Sequence, residues 1–253
     1  MNTIPVWHSL PWFFHPRLSE GDQVVELDWR EARHAAGAKR LRPGDRLVLF
    51  DGGGALATAE FQEKPAEASR AVPVRIIECR RTAPPIPALH LAAALPKGDR
   101  QSTMLGMATQ LTMASFTPLT CRRSVVRCAP TFPQRARRIC LEACKQTHLA
   151  HCPAIHPPAS PAAFARRAGE ERKLVLLADP RGAALSEALP PNGPVQEYAI
   201  LIGPEGGFVD GEIEAVRDAG GRIVRLSPSI LRIETAAVAL LAALLVLARP
   251  CRD

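Results

Sequence analysis

Two stretches of the sequence decide the fold: Leu201-Ile202-Gly203-Pro204-Glu205-Gly206-Gly207-Phe208, and Leu226-Ser227-Pro228-Ser229-Ile230-Leu231-Arg232-Ile233-Glu234-Thr235-Ala236. In each stretch a short apolar segment stops at a loop that contains proline, which removes a backbone donor and fixes φ. Glycines in the first loop permit a positive φ and let a ligand approach the backbone closely. The pattern predicts two buried strands, 198–202 and 222–226, each followed by a rigid loop and a helix.

The two loops predict a binding pocket, because open α/β sheets bind ligands at the carboxyl ends of parallel strands. A third wall is predicted from Asp179-Pro180-Arg181-Gly182, which follows a predicted strand at 173–178. Helices are predicted to begin near Asp210, as an N-cap, and at about Glu234. The alternative interpretation of the same pattern is two ordinary turns between strands and helices.

Length and composition set the class of protein. A chain of 253 residues with 47% hydrophobic and 23% charged residues is typical of a soluble globular protein with two modest domains. The first residues lack the basic and apolar regions of a signal peptide, and the longest apolar run, 236–248, is too short to span a bilayer. Seven cysteines without a dense framework indicate a reducing compartment, so we expect a cytoplasmic protein.

The net charge of +7 is concentrated in the middle of the chain. Residues 1–80 carry 11 basic and 11 acidic side chains, whereas residues 81–151 carry 10 basic and only 2 acidic ones. A localised basic field is what a polyanionic partner such as RNA or DNA requires. Nucleic acid is therefore a candidate partner, although many soluble domains carry a basic face without one.

The hydrophobic pattern changes at the proline-rich segment 80–87, where we expect a domain boundary. Before this segment the sequence predicts a helix at 29–38, capped by Asp28, and several short strands, which together are typical of a small β-barrel. The predicted strands are 23–27, 46–50, 55–61 and 72–78. Asp51-Gly52-Gly53-Gly54 is interpreted as a hairpin turn rather than a phosphate loop, because no helix and no Lys-Ser/Thr pair follow it.

Beyond the boundary, strands and helices alternate, which predicts a mostly parallel sheet covered by helices. The additional predicted strands are 88–95, 116–119 and 173–178, and the additional predicted helices are 99–113 and 133–148. The segment 153–161 is interpreted as a proline-rich connection.

One group of residues has the chemistry of a metal site. Cys140, Cys144 and His148 lie four residues apart on one predicted helix, and zinc accepts such ligands. Zinc sites usually draw ligands from two elements, however, and small cysteines that pack a helix face are the more common arrangement. We therefore predict no metal.

Three charged residues in the opening loops are candidates for chemistry. Glu205 and Glu234 are the candidate carboxylates for acid–base catalysis. The alternative is that each carboxylate holds the loop backbone by hydrogen bonds. Arg232 is a candidate to bind an anionic group, either a ligand carboxylate or an RNA phosphate.

These motifs resemble the RsmE family, bacterial methyltransferases that modify the N3 atom of a uridine in small-subunit (16S) ribosomal RNA. The resemblance rests first on residues 202–208 followed by Leu231-Arg232-x-Glu234-Thr235-Ala236, and it extends over nearly the whole chain. The other matching segments are Arg40-Leu41-Arg42-x-Gly44-Asp45, Leu49-Phe50-Asp51-Gly52, Pro96-Lys97-Gly98-Asp99, Thr117-Pro118-Leu119, Arg123-Ser124-Val125-Val126-Arg127 and Glu142-Ala143-x-x-Gln146.

The resemblance implies an α/β fold: a SPOUT-type parallel sheet with a C-terminal trefoil knot at residues 83–253, joined to an N-terminal PUA-like β-barrel at residues 1–82. It implies that the knot loops bind S-adenosylmethionine, that ribosomal RNA or the small subunit is the partner, and that a homodimer, with the terminal helix 234–248 at its interface, completes the site. The implied cofactor-binding residues are Leu177, Ile202, Gly203, Pro204, Gly206, Gly207, Leu226, Ser227, Leu231, Glu234, Thr235 and Ala236. The implied RNA-binding residues are Lys39, Arg40, Arg42, Lys97, Arg122, Arg123 and Arg127. The catalytic candidates are Glu205 and Arg232.

The resemblance is weakest in the middle of the chain, where Gln110, Thr112, Arg122, Leu149 and His151 depart from the family pattern. The cofactor loops mostly keep that pattern. Three alternatives therefore stay open: a SPOUT enzyme for another RNA position, an RNA-binding or assembly protein with a vestigial pocket, and an unrelated α/β enzyme whose glycine loop holds a different anion. The sequence also leaves open the RNA position, the choice between free RNA and an assembled subunit, and the group that removes the proton.

Overall fold

The structure, a computed structural model, describes residues 7, 9–19, 21, 23–63, 71–190 and 195–247. The chain divides into two compact units. The first contains Met1–Pro84 together with Cys144–Cys152, and the second contains Pro85–Ala143 and Pro153–Asp253. Within the described ranges, every helix is too short or too polar to cross a membrane.

A five-stranded sheet forms the first unit. Its strands are β1 (Trp12–Phe14), β2 (Val24–Leu27), β3 (Arg46–Phe50), β4 (Ala55–Phe61) and β5 (Val72–Arg81). They lie in the order β1-β3-β4-β5-β2, with β1 and β3 parallel and the other neighbours antiparallel. The four predicted strands are confirmed, with β5 three residues longer. The strand β1 was not predicted, because three residues are too few for an alternating pattern.

The helix of this unit begins where its cap predicts. The Asp28 carboxylate accepts hydrogen bonds from the backbone N–H groups of Arg30 (2.7 Å) and Glu31 (3.0 Å). This cap starts α1 (Trp29–Arg33), which continues as a π-helical segment, His34–Ala38. Capping satisfies donors that the first helical turn leaves unpaired.

Residues 144–152 complete the first unit. His148 stacks on Trp12 with ring centroids 5.1 Å apart, and His151 Nε2 lies 3.1 Å from the Thr82 carbonyl oxygen. The backbone N–H of Gly54 donates to the carbonyl of Ala150 at 3.2 Å. In the described part of the chain no three His, Cys, Asp or Glu side chains form a group that could hold a metal ion.

The second unit is a six-stranded parallel sheet with helices. Its strands are β6 (Ala88–Ala93), β7 (Met113–Pro118), β8 (Ala154–Ile155), β9 (Leu174–Ala184), β10 (Glu197–Ile202) and β11 (Arg222–Arg225). Its helices are α2 (Arg100–Gln110), α3 (Phe132–Thr147, whose last turn belongs to the first unit), α4 (Pro161–Glu170), α5 (Leu185–Ala188), α6 (Asp210–Asp218) and α7 (Ile233–Leu247). The strands lie in the order β11-β9-β10-β6-β7-β8, so the prediction of a parallel sheet is confirmed.

Three predictions about this unit are wrong in detail. Residues 179–182 are not a simple loop after a strand, because β9 runs to Ala184 and bulges where its pairing with β11 shifts register. Asp210 is not the N-cap of α6: the cap is Val209, whose N–H donates to the Glu212 carboxylate at 3.0 Å. Residues 153–161 are not only a connection, because they contain β8.

The sheet places the ends of two strands beside the middle of a third, β9, just before its bulge. In the register of the pairs, Ile202 at the end of β10 lies opposite Ala93 of β6 and Ala178 of β9. The interior of the sheet is apolar, with Leu177 and Leu201 fully buried in one core cluster. Burial of this apolar surface is the main stabilising contribution, at about 25 cal/mol per Å². The core therefore holds the carboxyl edge as a rigid platform.

Candidate functional site

A cavity of about 360 Å3 lies at the carboxyl edge of β9, β10 and β11. The third wall that the sequence predicts is present, since residues 178–181 of the β9 bulge contribute to the lining. The lining residues are Arg123, Ala178, Asp179, Pro180, Arg181, Ile202, Gly203, Pro204, Glu205, Gly206, Gly207, Phe208, Asp210, Arg225, Leu226, Ser227, Ser229, Ile230, Leu231, Ile233 and Ala236.

The loop after β10 is a tight turn that leaves its backbone accessible. The N–H of Gly207 donates to the carbonyl of Pro204 at 2.8 Å, and the φ of Gly207 is +70°. Nothing lies within 4 Å of the place where a Cβ at Gly207 would be. Gly203 has the opposite environment, because its Cβ would lie 2.8 Å from the ring of buried Phe208. The positive φ favours glycine at position 207, and the packing of the Phe208 ring favours glycine at position 203.

An arginine clamp joins the β9 bulge to the start of α6. Arg181 binds both carboxylate oxygens of Asp179, through Nε at 2.8 Å and Nη2 at 3.0 Å. Its Nη1 also donates to Asp210 at 2.6 Å and its Nη2 to the Phe208 carbonyl at 3.3 Å. Burial opposes ionisation of Asp179, but hydrogen bonds from Arg181 outweigh it and hold the pKa of this carboxyl below its usual range.

The basic loop after β7 reaches the cavity. Arg123 Nη1 donates to the Gly206 carbonyl at 2.7 Å, and the aliphatic part of Arg123 lies 3.3 Å from where a Gly206 Cβ would be. The backbone N–H of Arg122 donates to Glu212 at 2.8 Å. Glu212 therefore fixes both the start of α6 and this loop.

A guanidinium group lies between two carboxylates beside the cavity. Arg100, the first residue of α2, has Nη2 3.4 Å from Glu205 Oε1 and Nη1 3.7 Å from Glu234 Oε1. The Glu205 side chain is 43% exposed, whereas the Glu234 side chain is 14% exposed. The second oxygen of Glu234, Oε2, is buried and has no hydrogen-bond partner among the described residues.

The structure brings most of the predicted cofactor residues together around the cavity, and it leaves four predicted residues out of the lining. Leu177 is buried in the core, and Thr235 and Arg232 are exposed. Glu234 faces Arg100 instead. Predicted residues that line the cavity are Ile202, Gly203, Pro204, Glu205, Gly206, Gly207, Leu226, Ser227, Leu231 and Ala236.

All predicted RNA-binding side chains are exposed, although they belong to both units. Those of the first unit are Lys39, Arg40 and Arg42, and those of the second are Lys97, Arg122, Arg123 and Arg127. Of these, Arg123 lines the cavity.

Sequence reasoning missed two arginines in or near this site. Arg100 pairs with Glu205, and Arg135 of α3 donates from Nη2 to Ser102 of α2 at 3.2 Å. The cluster of basic residues at 135–138 was a usable signal for Arg135. A residue at 100 that pairs with one at 205 leaves no local signal.

Two sequence families match the chain. A family described as "RNA methyltransferase domain" matches residues 83–245, and one described as "RNA methyltransferase PUA domain" matches residues 27–69. The first match covers more than half of the chain. The protein is therefore an RNA methyltransferase in which an α/β domain with a parallel sheet accompanies a PUA domain.

Individual relatives narrow the class. The chain is 31% identical over 249 residues to the ribosomal RNA small subunit methyltransferase E of Mycobacterium bovis. This alignment covers 93% of this chain and 91% of that protein. It is 26% identical to the Bacillus subtilis protein of the same name, over 87% of this chain and 89% of the relative. The chain belongs to the ribosomal RNA small subunit methyltransferase E family, RsmE.

Solved structures support the same fold. The ribosomal RNA small subunit methyltransferase E of Neisseria gonorrhoeae, bound to S-adenosyl methionine, matches with a TM-score of 0.81 and 27% identity, over 94% of this chain and 98% of that chain. A Legionella pneumophila structure in complex with the cofactor SAM matches with a TM-score of 0.82 and 28% identity over the same shares.

Proposed function

We propose that this protein transfers a methyl group from S-adenosylmethionine to the N3 atom of a uridine in small-subunit ribosomal RNA. The observation that carries the proposal is the cavity at the carboxyl edge of β9, β10 and β11, in a chain of the RsmE family. Two similar structures hold this cofactor, which supports a cofactor site in a chain of this fold.

The residues present fit the cofactor. The open backbone at Gly207 lets a ligand approach, and a volume of about 360 Å3 falls within the range of roughly 300 to 1,000 Å3 for small-molecule sites. The lining combines apolar side chains such as those of Ile202 and Leu231 with the polar side chain of Ser227. We assign cofactor contact to the predicted residues that line the cavity, and support of its wall to Leu177, Glu234 and Thr235. When bound, the cofactor supplies an electrophilic methyl group.

The chemistry requires a proton acceptor, because uridine N3 carries a proton and is a weak nucleophile until that proton leaves. Glu205 lines the cavity with a half-exposed side chain, and we assign it this role. The N3 atom lies on the pairing edge of the base, so the uridine must be unpaired or turned out of its stack. Arg232 is exposed and outside the lining, which favours a phosphate of the substrate as its anionic partner.

Exposed basic residues are assigned to the RNA backbone. In the second unit they are Lys97, Arg122, Arg123 and Arg127, and in the first unit Lys39, Arg40 and Arg42. Phosphate contacts release counterions, so the affinity for RNA should fall steeply as salt rises. Since Arg123 also binds the Gly206 carbonyl, it is the residue that links RNA contact to the cofactor loop.

We extend the proposal to the finer features that the family resemblance implies. The loops after β10 and β11 belong to a C-terminal trefoil knot, residues 1–82 form the PUA-like domain and residues 83–253 the SPOUT domain. We also propose that two copies form a homodimer and that the protein acts on ribosomal RNA in the cytoplasm. The exposed apolar residues Val246 and Leu247 at the end of α7 support a role for this helix in the dimer.

Cofactor binding is tested by calorimetric titration with S-adenosylmethionine. Gly206→Trp places a large ring where a Cβ already meets Arg123 at 3.3 Å, so it should fill the cavity and lower the affinity at least tenfold, or about 1.4 kcal/mol. Gly211→Trp is the matched control, because nothing lies within 4 Å of its Cβ position on the exposed side of α6. Equal affinity in the two variants would place the cofactor elsewhere.

Product analysis then tests the reaction. Small subunits and free 16S RNA that lack the modification are incubated with protein and methyl-labelled cofactor, and the digested nucleosides are identified by mass spectrometry. Label in 3-methyluridine is expected. Label in another nucleoside favours a SPOUT enzyme for a different position. Salt-sensitive RNA binding without any cofactor binding, even with RNA present, favours the RNA-binding alternative.

A further inference from the structure

Arg100 is held loosely by its two carboxylate partners. Charge-assisted N–H···O hydrogen bonds are typically about 2.7 to 2.9 Å, whereas Arg100 lies 3.4 Å from Glu205 and 3.7 Å from Glu234. A guanidinium has five N–H donors, and these two carboxylates are its only polar partners among the described residues. Several donors of Arg100 therefore stay available, and its side chain is one-third exposed.

The backbone that carries Arg100 is fixed. It begins α2 directly after the loop 96–99 at the carboxyl end of β6, and Gln101 Nε2 donates to the Pro96 carbonyl at 2.9 Å. A positive charge in the first turn opposes the helix dipole, and this turn contains no acidic residue. Local helix stability therefore does not explain an arginine at this position.

Glu234 explains how the guanidinium is held beside the cavity. Its side chain is mostly buried, and a buried carboxylate is costly unless a cation accompanies it. Arg100 is that cation, and it connects the first turn of α7 to Glu205 in the cavity wall. Glu234 is thus a positioning residue for Arg100.

We propose that Arg100 is a further catalytic residue, whose guanidinium donates a hydrogen bond to a uridine carbonyl oxygen next to N3. This inference rests on the proposed function. When the N3 proton passes to Glu205, negative charge spreads from N3 onto the flanking carbonyl oxygens, and the N–H donors of Arg100 stabilise it. N3 then bonds to the methyl carbon as the carbon–sulfur bond breaks and its electron pair stays on sulfur. The sulfonium and the carboxylate both become neutral.

The competing explanation is that Arg100 is only a structural link between α2, α7 and the cavity loop. A link affects folding or cofactor affinity, because its loss moves Glu205 and Glu234. A charge-stabilising donor affects the rate of methyl transfer and makes that rate depend on the acidity of the N3 proton. The two explanations therefore differ in measurable ways.

The experiment compares wild type, Arg100→Gln, Arg100→Lys and the control Arg75→Gln. Arg75 forms an exposed 2.8 Å ion pair with Glu60 in the first unit, so its variant removes an arginine ion pair unrelated to the cavity. Substrates are small subunits reconstituted with 16S RNA transcribed with uridine or with 5-fluorouridine, whose N3 proton is more acidic. The measurements are kcat, KM for RNA, cofactor affinity, melting temperature and the yield of 3-methylated nucleoside.

For Arg100→Gln we expect kcat to fall about 100- to 1,000-fold, as for loss of a donor to a developing oxyanion, with KM and cofactor affinity changed less than about threefold. Arg100→Lys should recover part of the rate, and Arg75→Gln should match wild type. With 5-fluorouridine, the ratio of the wild-type kcat to the Arg100→Gln kcat should be at least tenfold smaller than with uridine. With uridine, the kcat of Arg100→Gln should rise more steeply with pH than that of wild type.

Two results would overturn the inference alone: 3-methyluridine formed by Arg100→Gln at the wild-type kcat, or a deficit that 5-fluorouridine leaves unchanged. A loss confined to cofactor affinity or melting temperature would make Arg100 a structural link. Wild-type protein that methylates a different nucleoside would overturn the proposed function, and the inference with it.

Discussion

The bidentate pair of Asp179 and Arg181 is the residue-scale contact that shapes the cavity. Asp179 is 6% exposed and lines the cavity, and Arg181 also reaches Asp210 and the Phe208 carbonyl. Asp179→Asn leaves Arg181 with a neutral partner that accepts through one oxygen. We expect a loss of about 1 to 3 kcal/mol in the free energy of unfolding, measured with urea, and weaker cofactor binding. Asp210→Asn, at an 84% exposed side chain, should cost much less.

The same pair predicts a pH dependence. The pKa of Asp179 in the folded protein lies below its ordinary value of 3.8, so its ionised form favours the folded state. Its contribution to stability is fully present above pH 4 or so, and is lost as the pH falls through the lowered folded value. The stability difference between wild type and Asp179→Asn should therefore shrink as the pH falls below about 4. A difference that grows in acid would contradict this assignment.

Single glycines set the path of the loop after β10. A Cβ at Gly203 would lie 2.8 Å from the ring of Phe208, which is buried in the core of the second unit. Gly203→Ala should cost about 1 to 3 kcal/mol of stability, because the ring must move within a close-packed core. Gly211→Ala is the control: it adds a methyl group in open space within α6 and should stabilise by up to about 1 kcal/mol. Chemical denaturation measures the free energy of unfolding of both variants. Equal changes in the two variants would contradict the prediction.

At the scale of elements, Glu212 connects α6 to the basic loop after β7. Its two oxygens accept from the backbone N–H groups of Val209 at 3.0 Å and Arg122 at 2.8 Å. Glu212→Ala should cost about 1 to 2 kcal/mol through the lost cap and speed hydrogen exchange at the amides of Val209 and Arg122. Glu214→Ala, two residues further along α6 at an exposed position, serves as control. Unchanged exchange at Arg122 would show that the loop does not depend on this contact.

The elements that the sequence predicts well are those with a strong local signal. The strand β10 is predicted at 198–202 and begins one residue earlier, and α1 begins directly after Asp28 as its cap predicts. The helix α4 was not predicted, although Ser160 caps it, Pro161 occupies its first turn and its buried residues Phe164, Ala165 and Ala168 follow at helical spacing, so its local signal was present and was missed. The bulge in β9 follows from the close approach of Gly182 to the backbone of β11, which is a tertiary contact.

The sequence predicts those residues of the site that lie together in one loop, but not the contacts between distant segments. The cavity loops are contiguous in sequence, and the third wall follows from strand order. The contacts that position charged groups are not local: Arg100 and Glu205 are 105 residues apart, Arg122 and Glu212 are 90 apart, and Arg123 and Gly206 are 83 apart. Such pairs form only when the sheet packs, so neither periodicity nor a motif in the sequence predicts them.

At the scale of the whole molecule, the first unit is assembled from two distant parts of the chain. Lys145 and Glu31 form an ion pair in which both side chains are largely buried, at 7% and 13% exposure. The other Glu31 oxygen accepts from the Phe14 N–H at 3.4 Å. A fragment ending at residue 84 lacks Lys145 and leaves Glu31 without this cation, so the N-terminal unit should not fold cooperatively without residues 144–152.

The pair gives a quantitative test of that dependence in the full chain. Lys145→Met keeps the length and apolar stem of the side chain but removes the charge beside Glu31, and it should cost about 3 to 5 kcal/mol in the free energy of unfolding. Adding Glu31→Gln removes the uncompensated charge and keeps an acceptor for Phe14, so the double variant should recover more than half of that loss. Arg75→Gln, which breaks the exposed pair with Glu60, should change stability little. Urea unfolding monitored by tryptophan fluorescence measures these variants and Glu31→Gln alone, which completes the double-mutant cycle. Strictly additive single and double variants would mean that the two charges do not depend on each other, and that other contacts of residues 144–152 hold the first unit together.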